Sequence, residues 1–374
     1  MKTILKTVFF LELLILPLLF SHAQDDPEPV PALRLGIHGL SHSHVNQLLR
    51  RPPGGDIQIV GIAETDRKLA ERLSNEYGFS MDLVYPDLKA MLKEARPQAV
   101  AAFNSIYGHL ETVQECGPLG IHVMVEKPLA VNLEHAKQME EIVKEHGIHL
   151  ITNYETSWYP THHRIYSLVH EEETIGELRK IIVCDGHKGP REIGVNEEFL
   201  DWLCDPVLNG GGAIIDFGCY GANLITWLMQ GEMPLSVLAV TQQIKPEVYP
   251  KVDDEATIIL TYPHAQGIIQ ASWNWPFSRK DMEVYGVTGY VKAKNAVELK
   301  TRFEQTQEES AEILSPMKGA MNDPFSYLAA IIEGKIVMKP YDLSSLENNL
   351  MVVKILEAAI QSAETGKRIY LPKN

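Results

Sequence analysis

Hydrophobic positions fall into two regimes along the chain. Up to residue 153, short apolar runs at 33–38, 57–63, 98–103, 121–125 and 148–153 have the length and β-branched content of strands buried on both faces. Helical patterns lie between them. Thr65 is placed to cap one, with Leu69, Leu73 and Tyr77 on its apolar face and Gly78 as its stop. Asn132 opens another that Gly147 ends. Strand–helix alternation with short links predicts an α/β domain, a doubly wound parallel sheet. Beyond residue 175 the apolar runs at 178–185, 236–243, 256–262, 267–273, 282–287 and 290–293 follow one another more directly, with Gly and Pro in the turns. They predict a second α/β domain on an open, mostly antiparallel sheet. A last helix, 345–365, buries Leu346, Leu350, Val353, Ile360 and Ala363, stops at Gly366 and packs back toward the first domain. The expected domains are 33–154 and 155–374.

The first 23 residues follow neither pattern. Lys2 and Lys6 precede a nearly continuous apolar run from Val8 to Phe20, and Ser21-His22-Ala23 presents small residues at a cleavage site. This is the build of a secretory signal peptide, too short for a comfortable membrane span. The expectation is an exported, periplasmic protein with no integral membrane segment after cleavage.

Composition narrows the function. The chain has 374 residues, 45% apolar and 22% charged, which excludes a mostly disordered chain. Its net charge of −15 argues against a nucleic-acid partner, because phosphate binding rests on basic side chains. Cys116, Cys184, Cys204 and Cys219 are too far apart for a metal finger or a disulfide-dense scaffold.

A dinucleotide fold places G-x-G-x-x-G in its first strand–helix turn, where backbone approaches a pyrophosphate. This turn reads Gly39-Leu40-Ser41-His42-Ser43-His44, and only the first glycine is present. Ser41 and Ser43 offer hydroxyls to a phosphate. Glu64 ends the next strand, where a carboxylate accepts ribose hydroxyls and repels a 2′-phosphate, which favours NAD over NADP. His38, His42 and His44 suggest a metal, but the loop holds no carboxylate or cysteine to complete a site, so none is expected.

Two further motifs carry chemistry. Glu126-Lys127-Pro128 follows the strand at 121–125, at the end that faces a ligand crevice. Gly210-Gly211-Gly212 precedes a helix on which Asp216, Tyr220, Asn223 and Trp227 share one face. Together these motifs resemble the Gfo/Idh/MocA family of nicotinamide-dependent oxidoreductases. Asn104 with His109, the Asp253-Asp254 pair and Gly286-Val287-Thr288-Gly289 agree with it. The resemblance implies an N-terminal Rossmann domain, a C-terminal substrate domain and NAD(P)-dependent oxidation of a sugar, cyclitol or related alcohol. Tyr220 stands where many members carry histidine, Asn223 where many carry aspartate, and Trp158 where many carry arginine. The tyrosine form resembles the glucose-fructose oxidoreductase and dihydrodiol dehydrogenase branches.

On this resemblance Lys127, Asp216 and Tyr220 are the expected catalytic residues. Tyr220 is the acid/base, with its phenol lowered by the Lys127 ammonium. Gly39, Ser41, His42, Ser43, Glu64, Asn104, His109, Glu126 and Lys127 are expected at the cofactor. His187, Lys188, Arg191, Trp202 and Asn223 are expected at a sugar or glycoside substrate. Trp273, Asn274, Trp275 and Phe277 are read as a sheet-face contact of a homo-oligomer. Three functions stay open: an exported oxidoreductase that keeps its NAD, an NAD-dependent glycosidase working by transient oxidation and elimination, and a carbohydrate-binding protein without the dinucleotide.

Overall fold

The computed structural model describes residues 32–52 and 54–372. The signal-peptide expectation for 1–23 lies outside them. The strands are β1 (Leu33–His38), β2 (Ile57–Ala63), β3 (Val84–Tyr85), β4 (Ala99–Ala102), β5 (His122–Glu126), β6 (Leu150–Asn153), β7 (Leu178–Gly186), β8 (Ser236–Gln242), β9 (Glu255–Thr261), β10 (Gln266–Ser272), β11 (Arg279–Gly286), β12 (Gly289–Ala293), β13 (Glu298–Phe303), β14 (Ser310–Ile313) and β15 (Ile369–Tyr370). The helices are α1 (Val45–Leu49), α2 (Arg67–Tyr77), α3 (Leu88–Ala95), α4 (His109–Cys116), α5 (Leu133–His146), α6 (Pro160–Tyr166), α7 (Glu197–Leu203), α8 (Ala213–Asp216), α9 (Gly218–Leu228), α10 (Pro324–Ile332) and α11 (Leu346–Thr365).

Strands β3-β2-β1-β4-β5-β6 form one sheet, parallel throughout. Its central β4 is buried along its whole length and built from Ala-Val-Ala-Ala, whose small side chains let helices approach both faces. The order turns back between β1 and β4, and that switch point places a ligand crevice at the strand carboxyl ends. Helix α2 is capped by Asp66, one residue after the expected Thr65. The Asp66 carboxylate accepts from Lys68 N at 2.9 Å and Leu69 N at 3.2 Å. Asp is as good a cap as Thr, so only geometry separates the two.

The second sheet runs β14-β13-β12-β11-β7-β10-β9-β8-β15 and is antiparallel except where β7 meets β10. Strands β13 and β14 were not expected. They are polar strands at one end of the sheet, β14 at its edge and exposed at every position, so neither carries a buried-strand signature. Helix α10 was also missed. Asp323 caps it, and Phe325 and Leu328 bury against the first domain beside Leu35 and Leu48.

The helix expected after the triple glycine is broken at Phe217, leaving Asp216 at the end of the short α8 and Tyr220 inside α9. Helix α9 is buried along its entire length between the second sheet and α11. Helix α11 serves both domains: Val353 belongs to the core under the parallel sheet, and Val352, Ile355 and Leu356 to the core of the second.

Gly221 marks how closely α9 approaches the sheet, since a Cβ there would lie 2.4 Å from Ile269 Cγ2. Gly221→Ala is therefore expected to destabilise the protein by about 1–3 kcal/mol through overpacking, read as a lower urea midpoint. An unchanged midpoint contradicts this packing.

Candidate active site

Two clefts flank the turn between β1 and α1. One, of about 350 Å³, is lined by His38, Gly39, Ser41, Glu64, Asp66 and Asn104 among others. The other, of about 680 Å³, reaches from His42, Ser43 and His44 to residues of the second domain.

At the base of the larger cavity, Lys127 leaves the end of β5 and meets Asp216 at the end of α8. Its Nζ lies 2.5 Å from Asp216 Oδ1 and 3.0 Å from the Asp216 carbonyl oxygen. Both side chains are almost wholly buried. Burial alone disfavours each charge. Their mutual attraction overrides it, raising the Lys127 ammonium above its ordinary value and lowering the Asp216 carboxyl below its own. Trp273 Nε1 donates to the other carboxylate oxygen at 2.9 Å. The backbone that carries Asp216 is held in turn by Asp253, whose oxygens accept from Gly212 N at 2.9 Å and Ile214 N at 2.7 Å.

Trp273 is therefore not an interface residue. Its side chain is fully buried behind the ion pair. Phe277, by contrast, is 80% exposed.

Tyr220 lies one turn beyond Asp216. Two ammonium groups flank its ring, Lys127 Nζ at 5.2 Å from the centroid and Lys280 Nζ at 4.6 Å. Its phenol is nevertheless pushed well above its ordinary value, first by burial and then by the carboxylates of Glu155, Asp185 and Asp216. This corrects the expectation that Lys127 makes it a base. That ammonium is already paired with Asp216, so Tyr220 stays a neutral hydrogen-bond donor. Lys280 is itself paired, 2.5 Å from Glu155 Oε2, and Tyr159 donates to the other Glu155 oxygen at 2.5 Å. Lys280, Glu155 and Tyr159 line the cavity, and the sequence reading missed them. No motif marks them; they come from the start of β11 and the segment after β6.

The third glycine position of the turn holds His44, and its ring reaches Glu126. Nδ1 lies 2.9 Å from Glu126 Oε2, and Asn153 Nδ2 donates to Oε1 at 2.8 Å. Trp158 Nε1 donates to Asn153 Oδ1 at 3.1 Å, completing a buried chain. Burial favours the acid form of Glu126, but the His44 and His42 rings and these hydrogen bonds hold it down at about 2. The carboxylate missing from the loop itself is thus supplied by β5. Donor atoms of His42, His44 and Glu126 lie within 4.8 Å of one another. Chemistry argues against a metal there. His42 Nδ1 accepts the His44 backbone N–H at 3.1 Å, so the neutral ring carries its proton on Nε2, the atom facing Glu126.

The remaining expected residues separate. His42, Ser43, Lys127 and His187 line the larger cavity; Gly39, Ser41, Glu64 and Asn104 line the smaller. Glu126 is wholly buried behind His44 and lines neither. His109 is also fully buried, with its Nδ1 on the Leu129 carbonyl at 3.1 Å, so it supports the segment after Pro128. Asn223 lines neither cleft; it donates to the Leu343 carbonyl at 2.8 Å, which ties α9 to the segment before α11. Trp202 is buried; its Nε1 donates to Ser41 Oγ at 3.1 Å, clamping α7 onto the turn. Lys188 and Arg191 are exposed and do not line the cavity, although Pro190 and Ile193 beside them do.

Comparison with known proteins bears on the two-domain fold. Residues 33–154 match the oxidoreductase family, NAD-binding Rossmann fold, and residues 164–292 match the GFO/IDH/MocA C-terminal domain. Over 260 residues the chain is 25% identical to trans-1,2-dihydrobenzene-1,2-diol dehydrogenase of Sus scrofa, covering 69% of this chain and 72% of that one. It is 24% identical over 346 residues to D-glucoside 3-dehydrogenase of Escherichia coli K12, covering 84% and 91%. The fold matches aldose-aldose oxidoreductase from Caulobacter crescentus, complexed with glycerol, with a TM-score of 0.75 at 19% identity, over 91% of this chain and all of that one.

The buried ion pair sets a pH signature. The lowered Asp216 carboxyl adds stability above the ordinary carboxylate range, and that contribution is lost as pH falls through its folded value. Asp216→Asn is expected to cost about 3–5 kcal/mol at pH 7, because Lys127 is left buried without its counter-charge. The gap to the unaltered protein should narrow below about pH 4. A gap that is constant from pH 7 to pH 3 in urea melts contradicts the pairing.

Proposed function

The chain belongs to the GFO/IDH/MocA oxidoreductase family, and from that premise we propose that it is an exported enzyme oxidising a sugar, glycoside or related polyol at a carbinol carbon with NAD. The observation that carries this reading is the Lys127–Asp216 pair at the base of a cavity, lined by both charged and apolar side chains, that opens beside the first turn of the parallel sheet.

The turn has features that suit a dinucleotide. Gly39 has φ of 80°, and a Cβ there would lie 2.8 Å from Asn104 Cβ, so the backbone is laid bare at the smaller cleft. Glu64 at the end of β2 suits ribose hydroxyls and opposes a 2′-phosphate, which favours NAD. The amides of Leu40 and His42 are already bonded, to Glu64 at 2.7 Å and to the Phe103 carbonyl at 2.8 Å. The Ser41 hydroxyl is engaged as well, by Trp202 and the Phe103 carbonyl, so the Ser43 hydroxyl takes a larger share of phosphate binding than in a glycine-rich turn. Lys127, in the larger cavity, would hold the nicotinamide end. When bound, NAD supplies the hydride acceptor for the carbinol carbon.

The chain's own groups do the rest. The Lys127 ammonium, fixed by Asp216, donates to the substrate oxygen and stabilises the negative charge that develops there. Tyr220 donates from its neutral phenol. The Lys280–Glu155 pair offers a donor and an acceptor to a second hydroxyl, and Phe199 and Phe217 supply apolar walls. Export rests on the signal-like first 23 residues, and it favours retention of the cofactor between turnovers. We also propose association of copies through the second sheet, where Val240 is 66% exposed on β8.

The test is NAD reduction at 340 nm over a panel of aldoses, methyl glycosides and cyclic diols. Lys127→Met is expected to lower turnover about 10²–10⁴-fold with the fold intact by circular dichroism. A wild-type rate in Lys127→Met, or no reaction with any member of the panel, overturns the assignment. Release of free aglycone without accumulation of NADH points to elimination instead.

A further inference from the structure

Oxidation of an alcohol removes a proton from oxygen as well as a hydride from carbon. None of the three expected catalytic groups is ready to take that proton. Lys127 is held as the ammonium by Asp216, Asp216 is engaged by Lys127 and Trp273, and Tyr220 is held as the phenol by burial. Among the described residues that line the cavity, the remaining carboxylates are engaged, Glu155 by Lys280 and Tyr159 and Asp281 by Arg279, which leaves three histidines as candidates: His42 and His44 of the altered glycine turn, and His187. His187 Nδ1 already accepts the Gly189 N–H at 2.9 Å, which places its proton on Nε2.

His44 is arranged the other way round. Glu126 is ionised and wholly buried, so its oxygen only accepts, and Nδ1 of His44 must donate to it. That fixes the tautomer of the neutral ring, in which Nε2 carries the lone pair, and the ring lines the cavity. The orientation is reinforced from behind, because Asn153 donates to the second Glu126 oxygen and is itself held by Trp158. On the turn itself, His42 packs edge-on against His44, with ring centroids 4.5 Å apart. A base needs an orienting carboxylate on its far nitrogen and a free near nitrogen, and this set supplies both.

We propose that His44, oriented by Glu126, is the general base of the site, so that the residue replacing the third glycine of the turn contributes a catalytic group. In the forward direction the substrate O–H proton passes to His44 Nε2, giving an imidazolium whose charge Glu126 balances. The carbon–hydrogen electron pair leaves with its hydrogen to NAD, and the carbon–oxygen bond becomes double. His44 is a catalytic residue in this scheme; Glu126, Asn153 and Trp158 are positioning residues. The charged and titratable groups that act on the ring are His42 from its own turn, Glu126 from the end of β5 and Glu155 from the segment after β6; Lys127 and Asp216 act on the neighbouring His42.

This inference rests on the oxidoreductase reading, and its test separates the two. Nitrogen-15 NMR of the histidines in the full-length protein, without substrate, reads the tautomer directly. The expected result is a protonated Nδ1 and a free Nε2 on His44, lost in Glu126→Gln. A proton on Nε2 in the unaltered protein overturns the proposal whether or not any sugar is oxidised. If a sugar is oxidised, His44→Ala should lower kcat/KM about 10²–10⁴-fold, with the acid limb of the pH profile removed and the rate restored by added imidazole. A His44→Ala enzyme with near-normal kcat/KM, or one that imidazole does not rescue, also overturns it. If the NMR gives the expected tautomer and no sugar reacts, the oxidoreductase reading fails while the dyad stands.

Discussion

A buried ammonium and a buried carboxylate, Lys127 and Asp216, hold the site together across the domain boundary. Each charge alone would be strongly disfavoured in this interior, and their attraction is effective only at hydrogen-bond distance. Lys127 comes from the last strand-end of the parallel sheet before α5, and Asp216 from a four-residue helix of the second domain. The pair therefore requires the two domains to dock in one arrangement. Helix α11, whose apolar residues enter both cores, makes that arrangement rigid. Trp273 and Asp253 then fix Asp216 from the second sheet, one through its carboxylate and the other through its backbone. Chemistry at the cavity depends on this: an ammonium that stays charged, immobile and partly dry is worth far more to a developing negative charge than one free in water.

The turn between β1 and α1 shows how a family frame is re-used. Glycines normally let a pyrophosphate approach bare backbone. Here side chains fill much of that space. His42 packs against Phe199 and Trp202 from α7, with ring centroids at 4.4 and 5.7 Å, and His44 reaches Glu126. The substitution narrows backbone access to the Gly39 end of the turn and adds imidazoles to the wall of the larger cavity. The departure from the glycine pattern is thus a change in what the turn contributes.

The parallel sheet was legible because its strands are buried on both faces and its helices are capped by short polar residues and stopped by glycine. Lys127, Asp216 and Tyr220 were legible because motifs mark them. Glu155, Tyr159 and Lys280 were not, since they meet only when β11 is laid beside β7 and the segment after β6 folds over the cavity. Trp273 was misplaced for a related reason: an aromatic at a strand end reads the same whether it faces a partner or an ion pair. Asn223 was misplaced because helical periodicity gives a face but not what covers it, and α11 covers this one. The role of Tyr220 needed the positions of three carboxylates that lie far apart in sequence.

The most direct test of the account is to denature the purified protein without adding cofactor and identify what is released by mass spectrometry, then to titrate the native protein with NAD. The account predicts NAD or NADH, either carried through purification or bound on addition. If no nucleotide is released and none binds, the cavity at Lys127 and Asp216 is not an NAD-dependent oxidoreductase site, and the central claim is contradicted.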